Sequence, residues 1–352
     1  MTGILFASTI SLLIALFGTP VAIRSLRTRG IGQFIREDGP HAHFAKGGTP
    51  TMGGLVIIGA AVAGYVASHL QLGRGMQPFS ASGLLAIGTI VALSLLGFAD
   101  DYIKIRRRRS LGLNKTAKIA GQIAIALVFA WFATRYTQAD RHISFVRPIA
   151  IQLGIALFAV WVFLIISGAS NGVNLADGLD GLACGSGVMV MGAYVIIGFW
   201  QFRHVCGQFA QSVCYVAPHS LDLALVAASL LGAGLGFLWW NAAPARIFMG
   251  DTGSLSLGGA MGVLAILTNT QMLLAVLGGL YVIEGMSVIL QVISFRVFGR
   301  RIFLMAPVHH HFELLGWPEF TVIVRFWILA GLAIAFGLGL FYADFIARGG
   351  LG

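Results

Sequence analysis

Acidic residues at the edges of apolar segments are the side chains best suited to chemistry. Asp100 and Asp101 end one apolar run, and Asp251 opens another in the segment FMGDTGSLSLGG. Adjacent carboxylates repel one another, and a helix C-terminus disfavours negative charge, so a divalent cation, a base role or a nearby lysine must offset the cost. Lys104 can pair with one of the two acids as in an ordinary helix, but not with both. Asp251 can cap its own helix, or hold Mg²⁺ against a phosphate that the helix N-terminus also binds.

The segment SGASNGVNLADGLDGLACGSG carries a second group of polar residues. Asn171, Asn174, Asp177 and Asp180 recur every three residues and would form a slowly rotating polar stripe on a helical turn. Glycines between them permit close backbone approach to a ligand. A tight polar turn is the alternative interpretation. So many polar positions at a membrane edge favour a binding site.

Two further segments contain side chains suited to phosphate. The loop REDGPHAHFAKGGTPTMGG places Lys46 and Thr51 among glycines, which indicates a mobile, phosphate-binding loop. The segment PVHHHFELLGW has consecutive histidines at 309–311. They cannot all face one side of a helix and make a poor zinc tripod, whereas imidazoles can contact phosphates or relay protons. Glu284, within an apolar stretch, must face a polar interior, and its role could be purely structural pairing.

The elements that position these residues are predicted to be membrane helices. The chain has 352 residues, 57% hydrophobic and 10% charged, with a mean hydropathy of +0.87. A soluble domain has about 25% charged residues, so a soluble enzyme is excluded, and so is a disordered chain. The apolar blocks have bilayer-spanning length, and lipid requires internally bonded backbone. We predict an all-α integral membrane protein, one domain over residues 1–352, with about ten transmembrane helices. They lie near residues 4–23, 52–70, 82–99, 117–134, 149–168, 183–200, 221–240, 254–268, 272–294 and 321–344.

The distribution of basic residues indicates the sidedness of the chain. Seventeen of the 23 Lys and Arg residues lie in the alternate connections 24–51, 100–118, 169–182, 241–253 and 295–325. The positive-inside rule places these connections in the cytoplasm and both termini in the periplasm. The net charge of +10 therefore indicates topology and no nucleic-acid partner. Ten of the 13 acidic residues lie in or near the same segments, so we expect the active site on the cytoplasmic face.

Five segments, taken in order, resemble those of one enzyme family. They are REDGPHAHFAKGGTPTMGG, DDYIK, NGVNLADGLDGLA, FMGDTGSLSLGG and PVHHHFELLGW. The family is the phospho-N-acetylmuramoyl-pentapeptide-transferases, within the polyprenyl-phosphate N-acetylhexosamine-1-phosphate transferase superfamily. The resemblance covers nearly the whole chain. It implies Mg²⁺-dependent transfer of phospho-MurNAc-pentapeptide from UDP-MurNAc-pentapeptide to undecaprenyl phosphate, giving lipid I and UMP in the first membrane step of peptidoglycan synthesis. It also implies a multi-pass protein of the bacterial cytoplasmic (inner) membrane and a homodimer.

The same resemblance assigns roles to individual residues. Asp251 matches the Mg²⁺ ligand, and Asp100 and Asp101 match the essential acidic pair. The histidine motif, counted with the catalytic residues, matches His309, His310 and His311. We expect Asp180, from the polar stripe, to join the positions that the family uses for substrate. The substrate-binding set is Lys46, Thr51, Asn171, Asn174, Asp177, Asp180, Asn241, Phe248, Ser254 and Gln291.

Several alternatives remain at the level of the sequence. Our mechanistic hypothesis is direct attack by undecaprenyl phosphate with Asp100 as base, and its rival is a covalent aspartyl intermediate.

A related enzyme using UDP-N-acetylglucosamine is the first functional alternative, against which the histidine segment argues. A secondary transporter is the second functional alternative. Transporters place ionisable groups at the middle of the membrane, whereas nearly all acids of this chain lie at the predicted cytoplasmic ends of spans, and Glu284 is the main exception. A structural scaffold does not explain the glycine–acid loops. Cys206 and Cys214 share an outer loop, where a disulfide could form.

Overall fold

Helices form most of the described chain. The computed structural model describes residues 1–32, 46–71, 75–76, 78–107, 109, 111–137, 139–206, 213–217 and 219–349. Two small antiparallel hairpins, β1–β2 and β3–β4, join helices on the predicted outer side. The strands are β1 Leu70–Gln71, β2 Gly75–Met76, β3 His142–Ser144 and β4 Pro148–Gln152. The helices are α1 Thr2–Thr28, α2 Gly54–His69, α3 Ala81–Arg107, α4 Lys115–Tyr136, α5 Ile155–Ala176, α6 Leu182–Arg203, α7 Ser220–Asn241, α8 Gly250–Leu267, α9 Leu274–Leu277, α10 Gly279–Phe298, α11 Val308–Leu314 and α12 Glu319–Ala347.

Among the described residues, nine helices are long and apolar enough to cross a bilayer. They are α1, α3 to α8, α10 and α12. The second predicted span is a shorter apolar helix, α2, of 16 residues. A helix lies at each of the ten predicted positions, and the expectation of an all-α, multi-pass membrane protein is confirmed.

Two predicted spans were wrongly bounded. The fifth, 149–168, begins in a strand, because Pro148–Gln152 forms β4 and α5 starts only at Ile155. A short apolar run cannot by itself distinguish strand from helix. Helix α5 then continues to Ala176, so Asn171 and Asn174 are helical and do not lie in a connecting turn. The ninth, 272–294, is divided at Gly278 into the single turn α9 and the longer α10.

Helices α7 and α8 form the centre of the molecule, and small residues let their neighbours approach closely. Gly236 of α7 has no room for a Cβ, because it would meet the backbone of Leu12 and Leu16 on α1. Gly258 of α8 is crowded in the same way by Ala169 on α5. Small residues at helix contacts are the usual means of close packing in membranes. The N-terminus of α8, with Asp251, is thereby held against its neighbours.

The described ends of the connection between α6 and α7, on the predicted outer side, are held by a disulfide and an arginine. Cys206 and Cys214 form the disulfide that the sequence had allowed. Arg147, in the β3–β4 hairpin, donates from Nε to Asp344 on α12 at 2.6 Å, and its guanidinium lies 4.2 Å from the ring centroid of Tyr215. These contacts join the hairpin, the disulfide loop and the end of α12 into one structure.

Candidate active site

Three carboxylates meet where the C-terminal part of α3 reaches the N-terminus of α8. Asp100, Asp101 and Asp251 each offer an oxygen, and these oxygens lie within 4.8 Å of one another. Gly97 makes the approach feasible, since a Cβ there would overlap the carbonyl of Asp251. Gly112 lets the loop after α3 approach Asp100 closely, since a Cβ on Gly112 would lie 2.6 Å from Asp100 Cγ. The predicted acidic group is therefore assembled from two helices.

Asp101 caps α8 from a different helix. Its Oδ2 accepts hydrogen bonds from the backbone N–H of Thr252 at 2.9 Å and from the Thr252 hydroxyl at 2.8 Å, and its Oδ1 accepts from the N–H of Asp251 at 3.2 Å. These groups are the unpaired donors of a helix N-terminus. The interpretation of Asp251 as the cap of its own helix was wrong, because Met249 occupies the N-cap position and Asp251 lies inside the first turn. The N–H groups expected to face a phosphate are occupied by Asp101.

Two lysines complete the cluster. Lys104 Nζ lies 2.6 Å from Asp100 Oδ2, 3.0 Å from Asp251 Oδ1 and 3.4 Å from Asp101 Oδ1. It therefore does more than the single helical pairing that the sequence suggested. Lys118 Nζ lies 2.6 Å from Asp251 Oδ2. Lys118 was missed by sequence reasoning, and its only signal was its position in the first turn of α4, one turn after the cap Asn114.

Four predicted substrate residues border this cluster. Asn174 Nδ2 donates to Asp251 Oδ1 at 3.0 Å and to Ser254 Oγ at 2.8 Å. The end of the first loop docks beside them, since the N–H of Phe248 bonds the carbonyl of Pro50 at 2.8 Å. Thr51 comes next in the chain, and its Oγ1 lies 3.0 Å from the position that a Cβ on Gly250 would occupy. Residues 36–45 of that loop lie outside the described residues.

A second charged group lies around Lys46. Its Nζ contacts Asp180 Oδ1 at 2.7 Å and Glu319 Oε1 at 2.5 Å. Burial opposes the charge of Lys46, but the hydrogen bonds and charges of the two carboxylates outweigh it and raise the pKa of the ammonium group above its ordinary value. Asp180 also accepts from the N–H of Ala245 at 2.8 Å. Glu319, at the start of α12, was not foreseen as a partner.

Asp177 links the two groups electrostatically. Its pKa is raised well above the ordinary value, first by burial and then by the negative charges of Asp251 and Asp101. Lys104 partly counteracts this shift. A carboxyl with a raised pKa beside other carboxylates is typical of functional sites.

Three predicted substrate residues have partners other than the acidic cluster. Asn171 Nδ2 donates to Gln122 Oε1 on α4 at 3.1 Å. Asn241 Nδ2 donates to the carbonyl of Ile247 at 2.9 Å, within the loop that leads to α8. Gln291 holds the loop before α11, because its side chain bonds the carbonyl of Phe303 at 2.9 Å and the N–H of the same residue at 3.0 Å.

The three histidines have three different partners, which agrees with the argument against a zinc tripod. His309 Nδ1 lies 3.1 Å from Glu284 Oε1, and both side chains are fully buried. His310 Nδ1 lies 2.6 Å from Glu313 Oε2. His311 Nδ1 accepts from the N–H of Leu304 at 3.1 Å. The short helix α11 that carries them packs against the connection between α5 and α6.

The acidic cluster has the composition of a cation site. Within the described part of the chain, it is the one group of three or more acidic, histidine or cysteine side chains placed to share a metal ion. Carboxylate oxygens are the ligands that hard divalent cations prefer. With Lys104 and Lys118 counted, the three carboxylates leave one net negative charge, and Asp100 Oδ2 is buried with the Lys104 ammonium group, 2.6 Å away, as its described partner. The residues present therefore fit a divalent cation.

The chain is similar to known proteins over nearly its whole length. Residues 83–269 match the model of the family described as glycosyl transferase family 4. A phospho-N-acetylmuramoyl-pentapeptide-transferase of Frankia casuarinae is 55% identical over 99% of this chain and 100% of its own length. Proteins of the same name from Streptomyces griseus and Rhodococcus jostii are each 51% identical over 99% of this chain, and 100% and 99% of their own lengths are covered. The chain therefore belongs to glycosyl transferase family 4 and, within it, to the phospho-N-acetylmuramoyl-pentapeptide-transferases.

Proposed function

We propose that this protein transfers phospho-MurNAc-pentapeptide from UDP-MurNAc-pentapeptide to undecaprenyl phosphate, giving lipid I and UMP. The observation that carries the proposal is the cluster of three carboxylates and two lysines, in a chain similar over its whole length to transferases of that name. Such a reaction brings a lipid phosphate to a diphosphate, so several negative charges must be neutralised at one place.

In this proposal Asp251 is the principal Mg²⁺ ligand, with Asp100 and Asp101 beside it. The bound Mg²⁺ would neutralise phosphate oxygens and orient the two substrates. Lys104 and Lys118 already contact Asp251 from two sides and supply positive charge for the diphosphate. Asn174 orients the Asp251 carboxylate by its hydrogen bond to Oδ1.

We propose direct transfer without a covalent enzyme intermediate. An oxygen of undecaprenyl phosphate bonds to the phosphorus next to MurNAc, and the bond from that phosphorus to the bridging oxygen breaks, so that UMP leaves with this oxygen. Asp100 accepts the remaining proton of the lipid phosphate. Radiolabelled donor incubated without lipid distinguishes the mechanisms: direct transfer predicts no labelled protein, and a phosphorylated Asp100 or Asp251 would contradict it.

The proposed site lies at the cytoplasmic face of the bacterial inner membrane, with both termini in the periplasm. The distribution of Lys and Arg supports this orientation, since Lys104 and Lys118 belong to the most basic connection. We further propose that residues 1–352 act as one domain and that the protein forms a homodimer, as its family resemblance implies. The remaining substrate and histidine residues named above are proposed to line the donor site around the cluster.

The donor separates this function from its nearest alternative. Purified protein in detergent, given Mg²⁺ and undecaprenyl phosphate, should release UMP from UDP-MurNAc-pentapeptide and not from UDP-N-acetylglucosamine. Release from the second donor alone would place the protein with the N-acetylglucosamine transferases. No release from either donor by a folded sample would contradict the proposed function.

A further inference from the structure

A buried acid–histidine pair lies outside the acidic cluster. Glu284 on α10 and His309 on α11 are both 0% exposed, and Nδ1 of His309 lies 3.1 Å from Oε1 of Glu284. Within the described structure, neither side chain has a polar partner other than this contact between them. A carboxylate buried among apolar helices is strongly disfavoured unless an opposite charge compensates it. The imidazole of His309 is the group placed to do so.

The same turn of α10 also holds the beginning of α11. Ser287 Oγ accepts a hydrogen bond from the N–H of Val308 at 3.0 Å and donates to the carbonyl of Glu284 at 2.7 Å. Backbone and side chain of α11 are thus both attached to the segment that contains Glu284. The position of the His309 ring is fixed from two directions.

The other edge of the His309 ring faces the connection between α5 and α6. A Cβ on Gly178 would lie 2.5 Å from His309 Nε2 and 3.3 Å from His310 Nε2, so only glycine leaves room for the rings. Gly178 directly follows Asp177, whose pKa responds to the acidic cluster. Two residues later, Asp180 holds Lys46 of the first loop at 2.7 Å. A displacement of the ring would therefore move the carboxylates of this connection.

We infer that Glu284 is a positioning residue for donor binding: it holds His309 by Nδ1 so that Nε2 supports the connection bearing Asp177 and Asp180. The inference rests on the proposed transferase function and adds a residue to it. Glu284 has no described contact with the acidic cluster, so it acts through His309. Its removal should impair donor binding more than binding of the lipid.

The test compares Glu284→Gln with a matched pair elsewhere in the molecule. His69 Nε2 lies 3.1 Å from Asp222 Oδ1, a buried acid–histidine pair with the same separation at the outer ends of α2 and α7. In purified protein, Glu284→Gln should raise KM for UDP-MurNAc-pentapeptide about tenfold or more and leave KM for undecaprenyl phosphate within about twofold. Asp222→Asn should lower Tm but change neither KM. Calorimetric binding of the donor without lipid should show the same loss for Glu284→Gln.

A double variant tests whether Glu284 acts through His309. His309→Gln should reproduce the rise in donor KM, and Glu284→Gln combined with His309→Gln should be no worse than either alone. If the two effects multiply, or if folded Glu284→Gln keeps the wild-type donor KM, the positioning role is wrong.

Gly178→Ala provides an independent variant in case Glu284→Gln does not fold. It displaces the ring and leaves the buried charges in place, so the inference predicts the same selective rise in donor KM. An unchanged donor KM in folded Gly178→Ala would overturn the inference. Wild-type protein that releases no UMP would instead contradict the proposed function, whereas active wild type with unaffected variants contradicts only the role of Glu284.

Discussion

Asp251 has an ammonium group on each side, with Lys104 Nζ 3.0 Å from Oδ1 and Lys118 Nζ 2.6 Å from Oδ2. A carboxylate held in this way cannot turn away from the site, and a hydrogen bond from Asn174 fixes it further. At the scale of single residues, the site is therefore a balance of charges. We expect its lysines to be as necessary as its acids, because phosphate substrates bring further negative charge.

Lys118→Gln should lower kcat/KM for UMP release by roughly tenfold or more, because a charge-assisted hydrogen bond contributes about 1.5–3 kcal/mol. Lys115→Gln is the matched control, since Lys115 is exposed on the same first turn of α4. Its effect should stay within about twofold. Equal losses in the two variants would show that Lys118 contributes only to the general charge of the loop.

Lys46 provides a prediction about pH. Its pKa is raised above 10.5, so the ammonium group stays charged in the folded protein, and its stabilising contribution is lost only as pH rises through that raised value. Lys46→Met should therefore lower the free energy of unfolding by roughly 1 kcal/mol, equally at about pH 7 and about pH 9. Thermal unfolding of both proteins at the two pH values measures this. A difference that disappears at the higher pH would contradict the assignment.

At the scale of elements, the site depends on how closely α3 approaches α8. Asp101 of α3 caps α8 through the N–H groups of Asp251 and Thr252, so the helix that carries the proposed metal ligand is held by the helix that carries its acidic partners. Gly97 sits at this crossing. Any side chain there must separate the two helices.

Gly97→Ala should lower both Tm and kcat, with a stability loss of roughly 1–3 kcal/mol, because its Cβ would overlap the backbone of Asp251. Gly88→Ala is a control on the same helix, since a Cβ at Gly88 has nothing within 4 Å. The control should keep full activity. If Gly97→Ala behaves like Gly88→Ala, the close contact of α3 with α8 does not position the site.

The sequence predicted the helices well and their mutual contacts poorly. Apolar length located each span, because lipid permits few other structures. Asp101 as a cap for α8 could not be foreseen, since it joins residues 150 positions apart in different helices. The same holds for Lys118 and Glu319, whose partners are fixed only by packing. Asn171 and Gln291 remain predicted to line a pocket, but the bonds of their side chains to Gln122 and to the backbone of residues 302–303 could not be foreseen.

At the scale of the whole molecule, the disulfide and the basic connections predict the same orientation. A Cys206–Cys214 disulfide is typical of an oxidising compartment, and the basic segment after α3 is typical of the cytoplasmic side. In intact cells, a membrane-impermeant maleimide should label Phe145→Cys in the outer hairpin, and should label Lys115→Cys only after permeabilisation. The reverse pattern would overturn the proposed topology.

Mass mapping without reductant should find Cys184 as the one free thiol.

We propose that the cluster around Asp251 catalyses Mg²⁺-dependent release of UMP. The most direct measurement is UMP release by wild-type and Asp251→Asn protein, with UDP-MurNAc-pentapeptide and undecaprenyl phosphate, while Mg²⁺ is titrated and then removed by EDTA. Asp222→Asn, which changes a buried carboxylate at the outer end of α7, serves as the control. We predict release that requires Mg²⁺, persists in the control and is abolished in Asp251→Asn. Release by folded Asp251→Asn at the wild-type rate, or without Mg²⁺, would contradict the proposed role of the cluster.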